Sequence, residues 1–265
     1  MQDKLIFYFI VYSFLGWVLE SVYKTILLKK PTNSGFLYGP FCPMYGIGAL
    51  LMILAGSHFD NIIVIFLLAF VLFSIWEYVV AVILEKLFKT KYWDYSNLKF
   101  NFQGRVCLKN SIYWGMLGVF LIFVVHKAIE NLTNLIPSDI LRYINVILCI
   151  AIVVDASITI YRIMFIDKKI SQVFEIGDTI KEKIKELKEM GLNEKIHKEN
   201  AQKFIDQLKK KQAILKFKLY KRIVRLRNAF PEMNSENISK FMMQKIEINE
   251  LKEKIKKLKE KKFEK

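Results

Sequence analysis

The chain has 265 residues, is 53% hydrophobic, and carries 41 Lys/Arg against 25 Asp/Glu for a net charge of +16. Three widely spaced cysteines, Cys42, Cys107 and Cys149, with no CxxC pair, argue against a disulfide scaffold, and His58, His126 and His197 have no metal-ligand spacing, so no cofactor is expected.

The apolar runs lie in residues 1–166, while 167–265 holds 28 basic and 16 acidic residues, a net +12 against +4 for the rest. That break predicts two parts, a transmembrane domain over 1–166 and a basic helical extension over 167–265. The N-terminus lacks a basic n-region and a small-residue cleavage site, so it does not read as a cleaved signal. A bilayer core needs roughly 20 apolar helical residues. Segments at about 5–28, 61–84, 111–130 and 140–166 meet that length. A fifth, about 41–57, is shorter and rich in Gly and Pro, and reads either as a span or as a broken, re-entrant element.

In the first segment Ser13, Gly16, Glu20 and Lys24 share one helical face, so Lys24 can neutralise Glu20 or reach the membrane edge. The stretch from Asn33 to Gly48 follows. Its Gly35, Gly39, Gly46 and Gly48 permit tight turns and close helix approach, while Pro40 and Pro43 interrupt a helix. Irregular backbone at membrane depth needs protein or a water-filled cavity around it, and transporter sites are often built from such discontinuous helices. The alternative is a loop leading into an ordinary span at Pro43.

Glu77 lies in Ser-Ile-Trp-Glu-Tyr, roughly one-third of the way into the third span, and is expected to face the bundle interior or a hydrogen-bonded packing site. The loop from Tyr92 to Arg105 interleaves aromatic and basic residues. It reads as an interface anchor, or as a place where Asp94, Asn101 and Arg105 line the mouth of a cavity. Asp155 is central in the last span, with Asn145, Ile152, Thr159 and Arg162 near its face. Asp155 and Arg162 are too far apart to pair directly, which leaves each to meet another span, for example Glu77 with Arg162.

If all five segments span, one side collects Lys24, Lys29, Lys30, Lys86, Lys89, Lys91, Lys99, Arg105, Lys109 and the basic extension. The other keeps only Lys4, Lys127 and Arg142. The positive-inside rule then sets the N-terminus outside and the extension in the cytoplasm of a multi-pass cell-membrane protein. The extension predicts helices at about 171–190, 197–228 and 236–263, punctuated by Gly191 and Pro231. The last carries a short coiled-coil seam through Phe241, Ile248, Leu251, Ile255 and Leu258. The cluster Lys209–Lys211, Lys216, Lys218, Lys221, Arg222, Arg225 and Arg227 is a solvated face, or contacts anionic membrane lipid or a partner. Nucleic acid is the weakest of these readings.

Three sets of residues carry a family resemblance. They are Gly16-Trp17 with Glu20 and Tyr23; Asn33-x-Gly35-Phe-Leu-Tyr-Gly39-Pro40 with Pro43-x-Tyr-Gly46; and Trp93-Asp94-Tyr-Ser96 with Asn101 and Gly104. Together they resemble the ABC-transporter type IV permease family of small bacterial multi-pass membrane proteins, over about residues 5–165. Where that family commonly has Arg between the Asn and Gly, this chain has Ser34. An anion contact or glutamate pairing made by that Arg would be lost or moved here.

The resemblance implies a permease-like membrane component. The sequence contains no Gly-x-x-x-x-Gly-Lys-Ser/Thr loop, so ATP hydrolysis would come from a separate nucleotide-binding subunit. Five spans make a small bundle, for which a homo-oligomer is also expected. The expected fold is an all-α, polytopic transmembrane bundle with a helical or coiled-coil tail. Alternatives are a membrane-embedded enzyme acting on a lipid or lipid-linked substrate, with Glu20, Glu77 and Asp94 as acid/base groups, or a scaffold recruiting partners through the tail. The enzyme reading lacks a nucleophile–base pair.

Overall fold

A computed structural model describes residues 2–189 and 195–243. Among the described residues the protein is all-α apart from one two-stranded hairpin and the isolated bridge between Lys91 and Asn234. It divides into two units: 1–163 with 226–234, and 164–225 with 235–265.

In the first unit, α1 (Gln2–Leu28) ends where Lys29 turns into the left-handed region just before Pro31. The chain from 31 to 42 is non-helical, and α2 (Pro43–Gly56) begins with proline at its first turn, where no backbone N–H is needed. Asn61 caps α3 (Ile62–Phe88) by accepting from the Ile63 and Val64 amides. Strands β1 (Asn101–Phe102) and β2 (Val106–Cys107) pair antiparallel between α3 and α4 (Leu108–Phe120). The helix continues through a π-helical turn at Leu121–His126 into α5 (Lys127–Asn134), and α6 (Ser138–Met164) follows.

Among the described residues four helices are long and apolar enough to cross a membrane: Gln2–Leu28, Ile62–Phe88, Leu108–Asn134 and the run beginning at Ser138. Most of their apolar surface faces outward, as with Leu19, Ile26, Ile63, Leu67, Ile75, Ile147 and Val153. In water such surface would be a large unpartnered patch, whereas lipid tails cover it. Helix α2 has 14 residues, roughly 21 Å at 1.5 Å per residue and too short to cross alone.

The internal contacts nevertheless carry residues 31–56 through the interior of the bundle. The N-terminal ends of α1 and α6 meet, with Asn145 Nδ2 donating to the Asp3 carbonyl at 2.7 Å and Arg142 3.6 Å from the Asp3 carboxylate. At the other end, Phe36 packs on Phe88 and Tyr92. Between those ends the 31–42 segment runs inward. Leu37 is buried in a cluster with Ile10 and Ile152, and the Cys42 amide donates to the Ser13 carbonyl at 2.8 Å. Helix α2 completes the pass, burying Ala49, Met52 and Ile53 against Tyr8, Tyr12, Ile65 and Phe73. The Gly/Pro-rich stretch is thus non-helical up to residue 42 and helical from Pro43.

Short interhelical contacts fix the remainder. Gly115 and Gly118 of α4 lie against Phe66 and Ala69 of α3. Ser74 donates to Ser111 at 2.6 Å, and the Trp76 indole donates to the Met44 carbonyl at 2.8 Å. Small residues and hydroxyls at crossings suit a membrane bundle, where lipid gives helices no hydrophobic drive to associate.

In the second unit, α7 (Ile166–Glu189) packs against α9 (Glu236–Met243). Ile170, Val173, Ile238 and Phe241 are buried there. Helix α8 (Lys195–Ala229) joins through Gln212, which donates to the Val173 carbonyl at 3.0 Å. Lys209–Lys211, Lys218 and Lys221 on α8 are exposed. Of the expected seam, Phe241 is described and its continuation through Leu258 lies outside the described residues.

Candidate functional site

Two carboxylates sit on either side of a pair of aromatic rings inside the first unit. Glu20, in the last third of α1, receives a hydrogen bond from the Tyr45 hydroxyl at 2.7 Å and lies 3.1 Å from the Lys24 ammonium one turn on. The Ser34 hydroxyl approaches its other oxygen at 3.4 Å. Glu77 of α3 is 3% exposed. It accepts from the Trp114 indole of α4 at 3.0 Å and the Tyr95 hydroxyl at 3.1 Å. The rings of Tyr45 and Trp114 are 5.6 Å apart. Glu20, Tyr45, Trp114, Glu77 and Tyr95 therefore form one chain of contacts through four elements and a loop. Burial, and then the Glu77 charge, push the Tyr95 phenol upward, which keeps it a hydrogen-bond donor to that carboxylate.

The third acid, Asp155, has a different job. Its two oxygens accept the backbone amides of Tyr38 at 3.2 Å and Gly39 at 2.6 Å, and Thr159 reaches it at 3.3 Å. It stands in for the hydrogen bonds that non-helical chain buried among apolar helices would otherwise lack. Arg162 stacks 4.9 Å from the Tyr38 ring centre. The expected meeting of Glu77 with Arg162 is not formed: Glu77 is occupied by Tyr95 and Trp114, and Arg162 by the inserted segment.

Asn33 and Gly35 shape the entry to that segment. Asn33 accepts from the Trp17 indole at 2.7 Å and donates to the Tyr38 carbonyl at 3.0 Å. The Ser34 amide donates to Ser21 at 3.1 Å. Gly35 has φ of +99°, and a Cβ there would sit 2.6 Å from the Cys42 sulfur, so glycine is needed both for the turn and for the space. A Cβ on Gly39 would approach Asp155 at 2.9 Å. Pro40 lies in the non-helical stretch and Pro43 opens α2.

The loop between α3 and α4 is a braced cap. Arg105 makes a forked contact with Glu85, 2.6 Å from one oxygen and 3.2 Å from both through Nε. That hydrogen bonding raises the Arg105 guanidinium above its ordinary value. Trp93 donates to the Arg105 carbonyl at 2.9 Å. Asn101 donates to the Leu98 carbonyl at 2.8 Å and accepts the Gly104 amide at 3.0 Å. Asp94 accepts the Ser96 hydroxyl and amide at 2.5 and 3.0 Å, and the hydroxyl bond in first place lowers its pKa. The cleft beside this loop, about 260 Å³, is lined by Glu85, Lys89, Thr90, Lys91 and Asn234. Asp94 and Asn101 bond within the loop, and Arg105 ties it to Glu85 of α3, which lines that cleft.

The structure thus brings Glu20 and Glu77 into one network and sets Asn33, Gly35, Gly39, Asp155 and Arg105 to hold the backbone around it. Sequence reasoning did not single out Tyr45, Tyr95 and Trp114 as carboxylate partners, nor Glu85 as the mate of Arg105. A hint existed for Tyr45 and Tyr95, which fall inside two of the three sets of residues that carry the resemblance. Trp114 and Glu85 carry no local signal.

A family model described as "Putative ABC-transporter type IV" matches residues 7–160, more than half of the chain. No curated protein and no solved structure matches.

Proposed function

The chain belongs to that ABC-transporter type IV family, and from this premise we propose that it is the permease component of a membrane transporter. A transporter-related role and a place in the membrane follow from the family and the four apolar helices. The observation that carries the finer reading is the pair of bundle acids, Glu20 and Glu77, joined through Tyr45 and Trp114 next to an unwound segment. Ionisable groups inside a bilayer are costly, and half-unwound elements are where transporters place their sites. In this reading Glu20 and Glu77 take up and release a proton or cationic group. Tyr45 and Tyr95 hold the carboxylates in place, and the 31–42 segment is the part that moves.

The basic end of the bundle lies in the cytoplasm, by the positive-inside rule, and the N-terminus outside. A separate nucleotide-binding subunit docks at that end. The test is purification of the full-length tagged protein from its own membrane in mild detergent, with partners identified by mass spectrometry. A stoichiometric nucleotide-binding subunit with ATPase activity is expected. A protein that emerges alone or only with itself overturns the ABC assignment and leaves ion-coupled transport through the same carboxylates to be assayed by proton flux in vesicles.

A further inference from the structure

Nine residues of the extension, Leu226–Asn234, belong to the bundle unit, although the 62 residues before them and everything after them belong to the other. Their contacts converge on Lys24. The Lys24 ammonium donates to the Ala229 carbonyl and lies 5.0 Å from the Phe230 ring centre, while on its other side it pairs with Glu20. Phe230 packs edge-on against Tyr92 at 4.9 Å. Lys91 and Asn234 exchange two backbone hydrogen bonds, 3.3 and 2.9 Å, as an antiparallel bridge. Lys30 donates to Asn228 at 2.8 Å. Leu226, Ala229 and Met233 are buried.

We propose that this end of the bundle is a docking site for the chain's own Leu226–Asn234 segment, and that its seating is a latch on Glu20. The physical basis is the sharing of one cation. With the segment seated, Lys24 is held by a carbonyl and a ring face in the one place where its charge also meets Glu20. With the segment lifted, the ammonium loses both and is free to turn to solvent on its four-carbon stem. Glu20 then keeps Tyr45 and Ser34 but loses its counter-charge. Both ends of the segment continue into the other unit, so whatever that unit binds acts on the latch through the chain. The inference does not depend on what is transported, and its test uses no transport assay.

The test is pulsed labelling of lysine amines in the full-length protein, reconstituted in vesicles of mixed neutral and anionic phospholipid and read residue by residue by mass spectrometry. In the wild-type chain Lys24 is expected to react far more slowly than exposed Lys181. Phe230→Ala is expected to raise the Lys24 rate about tenfold, the factor for losing one partly desolvated cation–π contact. Because that variant also loses the Tyr92 contact, a second removes the ambiguity: Lys91→Cys with Asn234→Cys, whose bridge geometry brings the two Cα atoms into disulfide range. The oxidised pair is expected to form readily and to restore Lys24 protection in the Phe230→Ala background. Labelling of Lys24 at the Lys181 rate in the wild-type protein, no change in Phe230→Ala, or failure of the cysteine pair to cross-link each overturns the latch.

Discussion

At the scale of single residues, the bundle's acids differ in what they are bonded to, and this separates their roles. Asp155 receives backbone amides and holds a segment in place, whereas Glu77 receives only side-chain donors from two other elements. Replacing Glu77 by Ala strands the Tyr95 hydroxyl and the Trp114 indole inside the bundle. The expected loss is about 2–6 kcal/mol, since each of the two buried donors left unpaired costs roughly 1–3 kcal/mol. Glu77→Gln keeps an acceptor oxygen for one donor and should cost less than half as much. Thermal unfolding in detergent, followed by tryptophan emission, distinguishes them. Equal stability of Glu77→Ala and wild type would show that the network does not hold the bundle. If Glu77 also carries the transported charge, Glu77→Gln should keep the fold and lose transport.

Asp94 shows the same logic outside the membrane. Its folded pKa lies below the ordinary carboxylate value of about 3.9 because Ser96 donates to the ionised form. A depressed folded value means that the Asp94–Ser96 turn is favoured above the unfolded pKa and is lost as pH falls through the folded one. Ser96→Ala removes the largest cause, so the Asp94 titration midpoint should move upward toward 3.9. A carboxyl-carbon NMR titration measures this directly, and an unmoved midpoint would assign the shift to some other contact.

At the scale of elements, the close crossing of α1 and α2 is set by a missing side chain. A Cβ on Gly46 would lie 2.6 Å from the Phe9 carbonyl oxygen, which is backbone and cannot swing away. Gly46→Ala should therefore push α2 off α1 and destabilise by about 1–3 kcal/mol, the usual range for overpacking. Gly48→Ala meets nothing nearer than 3.3 Å, the Trp76 ring edge, and should cost less. A denaturing-detergent series on both variants tests the difference; equal effects would mean that helix propensity, not the crossing, decides.

The long spans were legible because about 20 apolar residues between charged loops have few other homes. The Gly and Pro of 33–48 announced irregular backbone. What the sequence could not tell was which groups would satisfy that backbone. Asp155 lies 116 residues from Gly39, and helical spacing places Asp155 on a face without naming what lies opposite. For the same reason Arg162 looked like a partner for Glu77 and instead stacks on Tyr38. Arg105 was legible as a basic loop residue, but its fork with Glu85 depends on a turn through Gln103 and Gly104, both at positive φ.

At the scale of the whole bundle unit, the decisive question is whether residues 31–56 carry the chain from one side of the membrane to the other. Length alone says no, because α2 is too short. The packing offers a source for the missing depth, because the non-helical part before α2 lies inside the bundle with its amides accepted by Asp155 and the Ser13 carbonyl. The charges agree: one crossing here collects Lys29, Lys30, Lys89, Lys91 and Arg105 on a single side, and no crossing splits them. The two cases differ at Lys30 and Asp60, both exposed and one at each end of the segment. Single cysteines at these positions, labelled with a membrane-impermeant maleimide, are expected to differ, with Asp60→Cys reacting in intact cells and Lys30→Cys only after permeabilisation. The native Cys42 and Cys107 are buried and should give little background. If both positions react in intact cells, or neither does, the chain does not cross between them, and the inserted segment is a re-entrant loop that Asp155 and Ser13 hold inside the bundle.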